Sequence, residues 1–362
     1  MELYYYTTSD TMKYILSDGN IYATNMKYMN DSEEYLNGLK EVREYILSTE
    51  SVFKSAAEKR LSEAVYEERR EDEINSFSIS FTTARDLLSQ WFMYAKESGV
   101  SLKMEFEDRD YEFQAYRQDG KREVNYCMCP QKVYYFTKDV QSEEEYKEVG
   151  DKIIHAMQEQ FKKDGMRDYD DNIERLWLKI TPFVKRADFG AEEEYRLVFD
   201  FNNVLAFTPR VDFRNDKHVV KPYLDIRMAD GWPVTEIIVG PGFNQEAVFK
   251  GIAYFLSKGN VLVPSVSVEN MKKRIESYFR DMQEAGISDD EVKSILKEWD
   301  ERYADFEKYI TTDSDAVNRL YQEFRNFIQT KSNDKSYQEY IRNNFLASKG
   351  IVLRKSKIPY IF

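Results

Sequence analysis

The residues best suited to chemistry form one short run of acids that ends in an arginine. The run Glu192–Arg196 reads Glu-Glu-Glu-Tyr-Arg and leads into a segment with the pattern of a β-strand. Because side chains alternate along a strand, Glu192, Glu194 and Arg196 are predicted to share one face. A carboxylate beside an arginine can hold a sugar hydroxyl or stabilise a developing positive charge. The alternative is a surface charge run that closes on itself in an ion pair.

Two further segments carry candidate side chains. The loop 30–34 reads Asn-Asp-Ser-Glu-Glu and either caps the helix that follows or binds a metal. In the second case Asp31, Glu33 and Glu34 offer oxygen ligands of the kind that Mg²⁺ prefers. The run 90–94 carries an aromatic stripe, and such a stripe is usually part of a core.

Several familiar kinds of site are excluded by the sequence itself. It contains no Gly-x-Gly-x-x-Gly fingerprint, no Gly-Lys-Ser/Thr phosphate loop and no His-Glu-x-x-His zinc motif. The two histidines, His155 and His218, make a Ser-His-Asp triad an unfavoured interpretation. Cys127 and Cys129 are predicted to be structural, because a zinc site needs four ligands. Any mechanism is therefore expected to use carboxylates, tyrosines and arginines.

The composition indicates the class of protein. The 362 residues include 52 basic and 65 acidic side chains, a net charge of −13, which argues against a large basic surface for nucleic acid but leaves room for a local basic groove. No run approaches the roughly 18 consecutive apolar residues of a membrane helix. The N-terminus lacks the features of a secretory signal, so we expect a cytoplasmic protein without a membrane partner. The 27 tyrosines, Tyr4, Tyr5 and Tyr6 among them, suit half-buried strands and the walls of a cleft.

Strand and helix patterns are interspersed without a strict βαβ rhythm, which predicts an α+β fold. Strands are predicted at residues 3–8, 21–24, 77–82, 100–106, 123–128, 132–136, 195–201, 236–239 and 350–353. Helices are predicted near residues 10–16, 35–46, 52–71, 87–99, 142–163 and 171–181. Ser142 and Glu145 have the spacing of a capping box at the start of the fifth of these helices.

The segment after Ser265 changes character. Three amphipathic stripes follow one another at helical spacing, and their seam is expected to bury Trp299, Phe306, Leu320 and Phe324. These helices either cover the core of the domain or form the interface to a second copy of the chain or to another protein.

Seven motifs in a fixed order carry a resemblance to a known family. They are Leu3-Tyr4-x-Tyr6-Thr7, Asn30-Asp31 with the acids that follow, Phe77-Ser78-x-Ser80, Trp91-x-x-Tyr94 with Gly99, Glu192-x-Glu194-Tyr195-Arg196, Ile237-Ile238-Val239-Gly240-Pro241 and Ser356-Lys357-Ile358-Pro359-Tyr360. On these motifs the chain resembles the bacterial family called domain of unknown function 2971, over residues 1–260 and 336–362. The resemblance implies an α+β core domain at 1–265 with 336–362, and a helical insertion at 266–335.

That family looks like a distant branch of the ADP-ribosyltransferase fold. The resemblance implies a split mixed or antiparallel sheet with flanking helices, and a cleft that binds NAD as cosubstrate. It places Tyr5 at the first-strand position that grips a ribose, and Tyr22 or Tyr28 at the second-strand position. Glu194 then lies beside the nicotinamide ribose and stabilises the oxocarbenium-like state as the nicotinamide–ribose bond breaks, with Glu192 as a second catalytic carboxylate. The implied cofactor-binding residues are Tyr5, Tyr6, Thr7, Tyr22, Tyr28, Asn30, Asp31, Ser80, Trp91, Tyr94 and Arg196.

Three positions depart from the pattern of that family. Tyr5 stands where a histidine or a basic residue is common, and Tyr6 replaces a glycine. The bulk of these two rings bears on whether an NAD pocket stays open. Met93 stands where the domain family often has a histidine.

These observations lead to three functional hypotheses. The first is an NAD-dependent ADP-ribosyltransferase-like effector with a toxin or phage-defence role by analogy, whose acceptor is a protein, a nucleic acid or a small molecule. The second is a noncatalytic module that binds a nucleotide or a protein in the same cleft. The third is a metal-dependent enzyme that acts on nucleic acid through Asp31, Glu33 and Glu34.

Overall fold

The fold combines helices with mostly antiparallel strands, as the predicted α+β class requires. The computed structural model describes residues 1–29, 33–71, 75–95, 99–117, 123–200, 209–216, 219–228, 231–259, 261–262, 288–307, 327, 346–348 and 351–358. The chain divides into two compact units. Unit 1 comprises Met1–Tyr5, Asn20–Arg85 and Phe106–Ala229, and unit 2 comprises Tyr6–Gly19, Asp86–Glu105 and Asp230–Phe362.

Short strands and helices alternate along the chain. The strands are β1 (Glu2–Thr8), β2 (Asn20–Asn25), β3 (Ser76–Thr82), β4 (Gly99–Glu105), β5 (Tyr111–Tyr116), β6 (Glu123–Met128), β7 (Gln131–Lys132), β8 (Tyr134–Tyr135), β9 (Val184–Lys185), β10 (Glu194–Asp200), β11 (Asp212–Asp216), β12 (Val219–Met228), β13 (Val234–Val239), β14 (Leu346–Ser348) and β15 (Ile351–Lys355). The α-helices are α1 (Ser9–Asp18), α2 (Glu34–Ser48), α3 (Lys54–Arg60), α4 (Glu63–Glu71), α5 (Leu88–Gln90), α6 (Glu143–Lys163), α7 (Tyr169–Ile180), α8 (Gln245–Lys258) and α9 (Asp289–Glu307). Short 3₁₀ turns cover Met26–Tyr28, Thr181–Phe183 and Ala187–Glu192, and a π-helix covers Trp91–Ala95.

Strand β3 is the centre of the sheet in unit 1. β10 runs antiparallel along its whole length, with Glu194 opposite Thr82. β1 also pairs with β3 at Thr82, whereas β2 pairs with it further back, at Ser78, so β1 and β2 share the second edge of β3. The antiparallel pairing continues from β2 through β12 and β5 to β6, and β11 forms a hairpin with β12. One edge of β3 is therefore shared by two strands, with β1 at the end of β3 and β2 nearer its start.

Both faces of β3 are buried, although its alternating pattern predicts a half-buried strand. Phe77, Ile79 and Phe81 supply an apolar face, with each side chain 2% exposed. The other face carries the hydroxyl side chains of the strand, and we call it the hydroxyl face. On it, Ser78 and Thr82 are each 3% exposed. The prediction of half-burial was wrong because residues from distant parts of the sequence cover this face, with Glu194 and Arg196 of β10 lying over Thr82 and Ser80.

The helices of unit 1 enclose a core of their own around Trp177. α2, α3, α6 and α7 supply most of its apolar side chains, and the indole Nε1 of Trp177 donates a hydrogen bond to the carbonyl oxygen of Leu39 at 2.9 Å. The capping box predicted for α6 is confirmed. The hydroxyl of Ser142 accepts from the backbone N–H of Glu145 at 3.3 Å, and the Glu145 carboxylate accepts from the backbone N–H of Ser142 at 3.1 Å.

The single helix predicted over residues 52–71 was wrong. Two helices occupy this segment, with α3 ending at Arg60 and α4 beginning at Glu63. Leu61 lies between them, leaves the helical conformation at φ −106° and ψ 50°, and is 1% exposed. Burial of this leucine in the helical core therefore interrupts a pattern of helix-forming residues.

Trp91 organises the part of unit 2 that contains the π-helix. Its ring lies edge-on to that of Tyr6, with the centroids 4.7 Å apart, and a Cβ on Gly240 would lie 2.7 Å from it. Its indole Nε1 donates to Asp86 Oδ1 at 2.6 Å, and Ser356 Oγ donates to the same oxygen at 2.8 Å. Four of the motif positions that carry the resemblance, Tyr6, Trp91, Gly240 and Ser356, are thus connected through packing and hydrogen bonds around one tryptophan.

Among the described residues, unit 2 contains the end of β1 after Tyr5 and the strands β4, β13, β14 and β15. β13 pairs antiparallel with β4 and parallel with β15, and β14 pairs antiparallel with β15. α9 lies within the predicted insertion, and its Trp299 is 4% exposed with its ring centroid 5.4 Å from that of Phe327. The side chains of Phe306, Leu320 and Phe324, and most of residues 266–335, fall outside the described residues. No helix in the described part of the chain is both long enough and apolar enough to span a bilayer.

Candidate functional site

Two charged side chains of β10 face inward, where apolar residues are more usual. Glu194 is 4% exposed and Arg196 is 0% exposed. Their partners in the register with β3 are Thr82 and Ser80, so both lie over the hydroxyl face of that strand. Glu194 and Arg196 therefore share one face, as strand alternation predicts.

Glu34 and Lys185 bring further charges to the same place. Arg196 Nε donates to Glu194 Oε1 at 2.7 Å, and its Nη2 donates to Glu194 Oε2 at 2.9 Å and to Glu34 Oε1. Arg196 Nη1 donates to the carbonyl oxygen of Pro182 at 2.7 Å. Lys185 Nζ donates to Glu194 Oε2 at 2.9 Å and lies 3.4 Å from Glu34 Oε2. The first residue of α2 and the short strand β9 are thereby tied to β10.

Glu192 lies at the more exposed side of this group. Its Oε2 accepts from Lys185 Nζ at 2.8 Å, and its side chain is 16% exposed. The next residue, Glu193, has a φ of 44°, in the left-handed region that non-glycine residues rarely adopt. Thr82 Oγ1 donates to the Glu192 carbonyl oxygen at 2.6 Å, and the Thr83 N–H donates to that of Glu193 at 3.3 Å, which holds the turn against the end of β3. We call the set of side chains at this place the charge cluster, which comprises Glu34, Lys185, Glu192, Glu194 and Arg196.

Burial and opposite charges act against each other on the pKa values in the charge cluster. Burial raises the pKa of the Glu194 carboxyl, but the charge and hydrogen bonds of Arg196 and the charge of Lys185 lower it to about 2. Burial lowers the pKa of Lys185 and of Arg196, and the carboxylates of Glu194 and Glu34 more than offset this and raise both pKa values. Glu194, Lys185 and Arg196 are therefore all ionised at neutral pH.

Both carboxylate oxygens of Glu194 already have partners within the protein. Both of its carboxylate oxygens accept from Arg196 or Lys185, and its backbone N–H donates to the Tyr135 hydroxyl at 2.8 Å. A carboxylate that stabilises an oxocarbenium-like state has to contact the ribose. Lys185 also lines a polar cavity of about 160 Å³, which is smaller than the roughly 300–1,000 Å³ of typical ligand pockets. In this geometry the charge cluster fixes the starts of α2 and β10 to β9.

The described residues include no group of three or more His, Cys, Asp or Glu side chains that could hold a metal ion. Glu34, one of the three predicted Mg²⁺ ligands, is ion-paired with Arg196 and Lys185. Asp31, the second, lies outside the described residues. Cys127 and Cys129 are both free thiols.

A more open group of side chains continues the hydroxyl face across the sheet of unit 1. Thr24 of β2 lies opposite Ser78 on one side and opposite Tyr223 on the other. The rings of Tyr22 and Tyr223 have centroids 4.2 Å apart. The guanidinium of Arg214 lies 5.6 Å from the centroid of the Tyr22 ring, and its Nη2 donates to Thr24 Oγ1 at 3.0 Å. We call this half-buried group the Arg214 face; its members are Tyr22, Thr24, Arg214 and Tyr223.

Seven of the predicted site residues lie in unit 1, namely Tyr5, Tyr22, Tyr28, Ser80, Glu192, Glu194 and Arg196. The ring of Tyr5 lies 5.8 Å from that of Phe81, and burial raises the pKa of its hydroxyl while the charge of Arg214 opposes the rise. Tyr28 is half-buried in the 3₁₀ turn that follows β2. Ser80 is half-buried in β3 and lies directly opposite Arg196 in the pairing with β10.

Four other predicted site residues, Tyr6, Thr7, Trp91 and Tyr94, belong to unit 2. There Tyr6 and Trp91 pack against each other, and Thr7 is 7% exposed. Asn30 and Asp31 lie outside the described residues.

Sequence reasoning did not find Lys185 and Arg214, and it did not place Glu34 beside Arg196. Lys185 belongs to a two-residue strand, which is too short to give a periodic signal. Arg214 lies in β11, where Asp212, Arg214 and Asp216 alternate with other residues at the period of a strand. That alternation is the signal through which the Arg214 face could have been predicted.

No protein-family model, curated protein or solved structure matches this chain. The resemblance to the 2971 domain family and the NAD chemistry that it implies therefore depend on the sequence motifs alone.

Proposed function

We propose that this protein is a noncatalytic module that binds a nucleotide on unit 1. The observation that carries the proposal is the state of Glu194, which is 4% exposed and accepts hydrogen bonds from Arg196 and Lys185 on both carboxylate oxygens. A catalytic carboxylate needs direct contact with the reacting sugar. In this protein Arg196 and Lys185 contact the carboxylate instead, which supports a role for Glu194 in holding β10 in place.

The resemblance and the Arg214 face support a nucleotide as the ligand. Tyr22 and Tyr223 present half-buried aromatic rings, which suit contact with a base, and Arg214 adds a positive charge beside them. NAD is the first candidate because the resemblance implies a fold that binds it. In a module of this kind NAD is a ligand and is not consumed.

ADP-ribosyl transfer from NAD, with the toxin or defence role that it suggests, is the second candidate function. The backbone before Glu194 favours it, since Glu193 has a φ of 44° and strained residues often cluster at functional sites. In this alternative the turn Ala187–Glu192 rearranges, Lys185 and Arg196 release Glu194, and the carboxylate contacts the nicotinamide ribose.

The substitution Glu194→Gln distinguishes the two functions. NAD binding is measured by titration calorimetry and nicotinamide release by chromatography, with Glu193→Gln as an exposed neighbouring control. A module binds NAD without nicotinamide release in every variant that folds. A transferase releases nicotinamide, and Glu194→Gln lowers that rate by roughly 10²–10³-fold while Glu193→Gln does not. A wild-type protein that neither binds nor consumes NAD or another nucleotide contradicts both functions.

A further inference from the structure

Arg214 is a half-buried cation, and it forms no ion pair with a carboxylate in the described part of the chain. Its Nη2 donates to Thr24 Oγ1 at 3.0 Å, and its Nε is buried without a hydrogen-bond partner among the described residues. Arg196 provides the comparison, because its guanidinium is ion-paired with both Glu194 and Glu34. A buried donor on a charged group is costly unless something accepts from it.

The acids that flank Arg214 on β11 have cationic partners of their own. Asp212 Oδ2 lies 2.7 Å from Arg210 Nη2, and Asp216 Oδ2 lies 3.0 Å from Lys221 Nζ. Both acids share a face of the strand with Arg214, yet each is paired with a neighbouring cation. Neither acid is ion-paired with Arg214, so its guanidinium can pair with an anion that is not part of the described chain.

A second donor without a partner lies close to the same position. Ser78 is 3% exposed, and its hydroxyl has no hydrogen-bond partner among the described residues. Ser78 is directly opposite Thr24 in the pairing of β2 with β3, and the Cβ atoms of such opposed residues are roughly 4.5–5.5 Å apart. Thr24 thus neighbours both the guanidinium of Arg214, which it contacts, and Ser78, which it faces across the two strands.

We infer that Arg214, Thr24 and Ser78 form an anion site that binds a phosphate group of the nucleotide. The inference rests on the proposed nucleotide-binding function and adds the class of ligand, which is a phosphorylated nucleotide and not the free nucleoside. A guanidinium presents two parallel N–H groups to a phosphate, and the hydroxyls supply further donors. The rings of Tyr22 and Tyr223 then lie beside the bound phosphate.

Titration calorimetry on the full chain with ADP and with adenosine tests the anion site. Wild-type protein is expected to bind ADP more tightly than adenosine. Arg214→Gln is expected to weaken ADP binding by about tenfold or more and to leave adenosine binding unchanged. The matched control is Arg227→Gln, which removes an exposed arginine from β12 of the same sheet and is expected to leave ADP binding unchanged.

Three results would overturn the anion site. Equal ADP affinity in wild type and Arg214→Gln removes it and leaves nucleotide binding in place. If Arg227→Gln weakens ADP binding as much as Arg214→Gln does, the effect comes from the change in net charge and not from a site at Arg214. A wild-type protein that binds neither ADP nor NAD overturns both the site and the proposed function.

If Arg214→Gln does not fold, Arg214→Lys is the second variant, because it keeps the charge without the planar fork. Weaker ADP binding by Arg214→Lys supports the site, and unchanged binding overturns it.

Discussion

At Glu194 a full negative charge is held in a place that excludes water. The loss of hydration alone would cost several kcal/mol, and the charges of Arg196 and Lys185 offset it. Removing one member of such a group leaves the others buried with fewer partners, so the cost of a substitution exceeds the net contribution of the intact ion pairs. Substitutions in the charge cluster should therefore show large effects on stability.

Glu194→Gln is expected to destabilise the folded protein by about 3 kcal/mol, because Arg196 and Lys185 each lose a charged acceptor. Urea unfolding followed by circular dichroism measures the free energy of unfolding. The control, Glu193→Gln, changes an exposed neighbour and is expected to alter stability by less than about 0.5 kcal/mol. Equal effects of the two substitutions would contradict a structural role for Glu194.

The stabilisation from Glu194 is expected to depend on acid pH. Its pKa is about 2 in the folded protein and 4.5 in an unperturbed carboxyl, so the folded state binds the proton less tightly than the unfolded state. The contribution is then complete above the unperturbed pKa of 4.5 and is lost as the pH falls towards about 2. The difference in unfolding free energy between wild type and Glu194→Gln should shrink over that range, and a difference that stays constant would be inconsistent with the ion pairs.

The sequence allowed only part of the charge cluster to be predicted. Alternation along one strand is a local property, and it correctly put Glu194 and Arg196 on one face. The contact between Arg196 and Glu34 joins residues that are 162 positions apart, and no local pattern indicates it. Glu34 also fits the role of a residue at the start of a helix, which hides its second role as a buried ion-pair partner.

At the scale of elements, the predictions held where a strong local signal coincided with a single structural role. α6 has a capping box and an amphipathic pattern, and it forms as predicted over Glu143–Lys163. The strand predicted at residues 132–136 divides into β7 and β8, because Val133 turns its N–H to the Glu194 carbonyl oxygen at 3.0 Å. β11 and β12 were missed, since their many charged residues do not resemble a buried strand.

Two glycines of unit 2 are expected to respond in opposite directions to alanine. A Cβ on Gly240 would lie 2.7 Å from the ring of Trp91, so Gly240→Ala should destabilise the protein by about 1–3 kcal/mol through overpacking. A Cβ on Gly251, in α8, meets open space, so Gly251→Ala should stabilise it by about 0.5–1 kcal/mol through helix propensity. Thermal unfolding of both variants measures the effects, and destabilisation by Gly251→Ala would show that the helix is packed differently.

At the scale of the molecule, the alternation of strand and helix patterns was sufficient for the α+β class. It could not indicate that the chain divides into two units within β1, after Tyr5. That division depends on pairing between strands far apart in sequence, such as Ile237 of β13 with Leu102 of β4. Tyr6 and Trp91 belong to unit 2, whereas the Arg214 face, to which we assign nucleotide binding, belongs to unit 1.

Titration of the wild-type protein with NAD, followed by assay of the same solution for free nicotinamide, tests the central claim most directly. A noncatalytic module gives saturable binding with all of the NAD recovered intact. Release of nicotinamide that Glu194→Gln abolishes, or the absence of any binding of NAD and ADP, would contradict the claim.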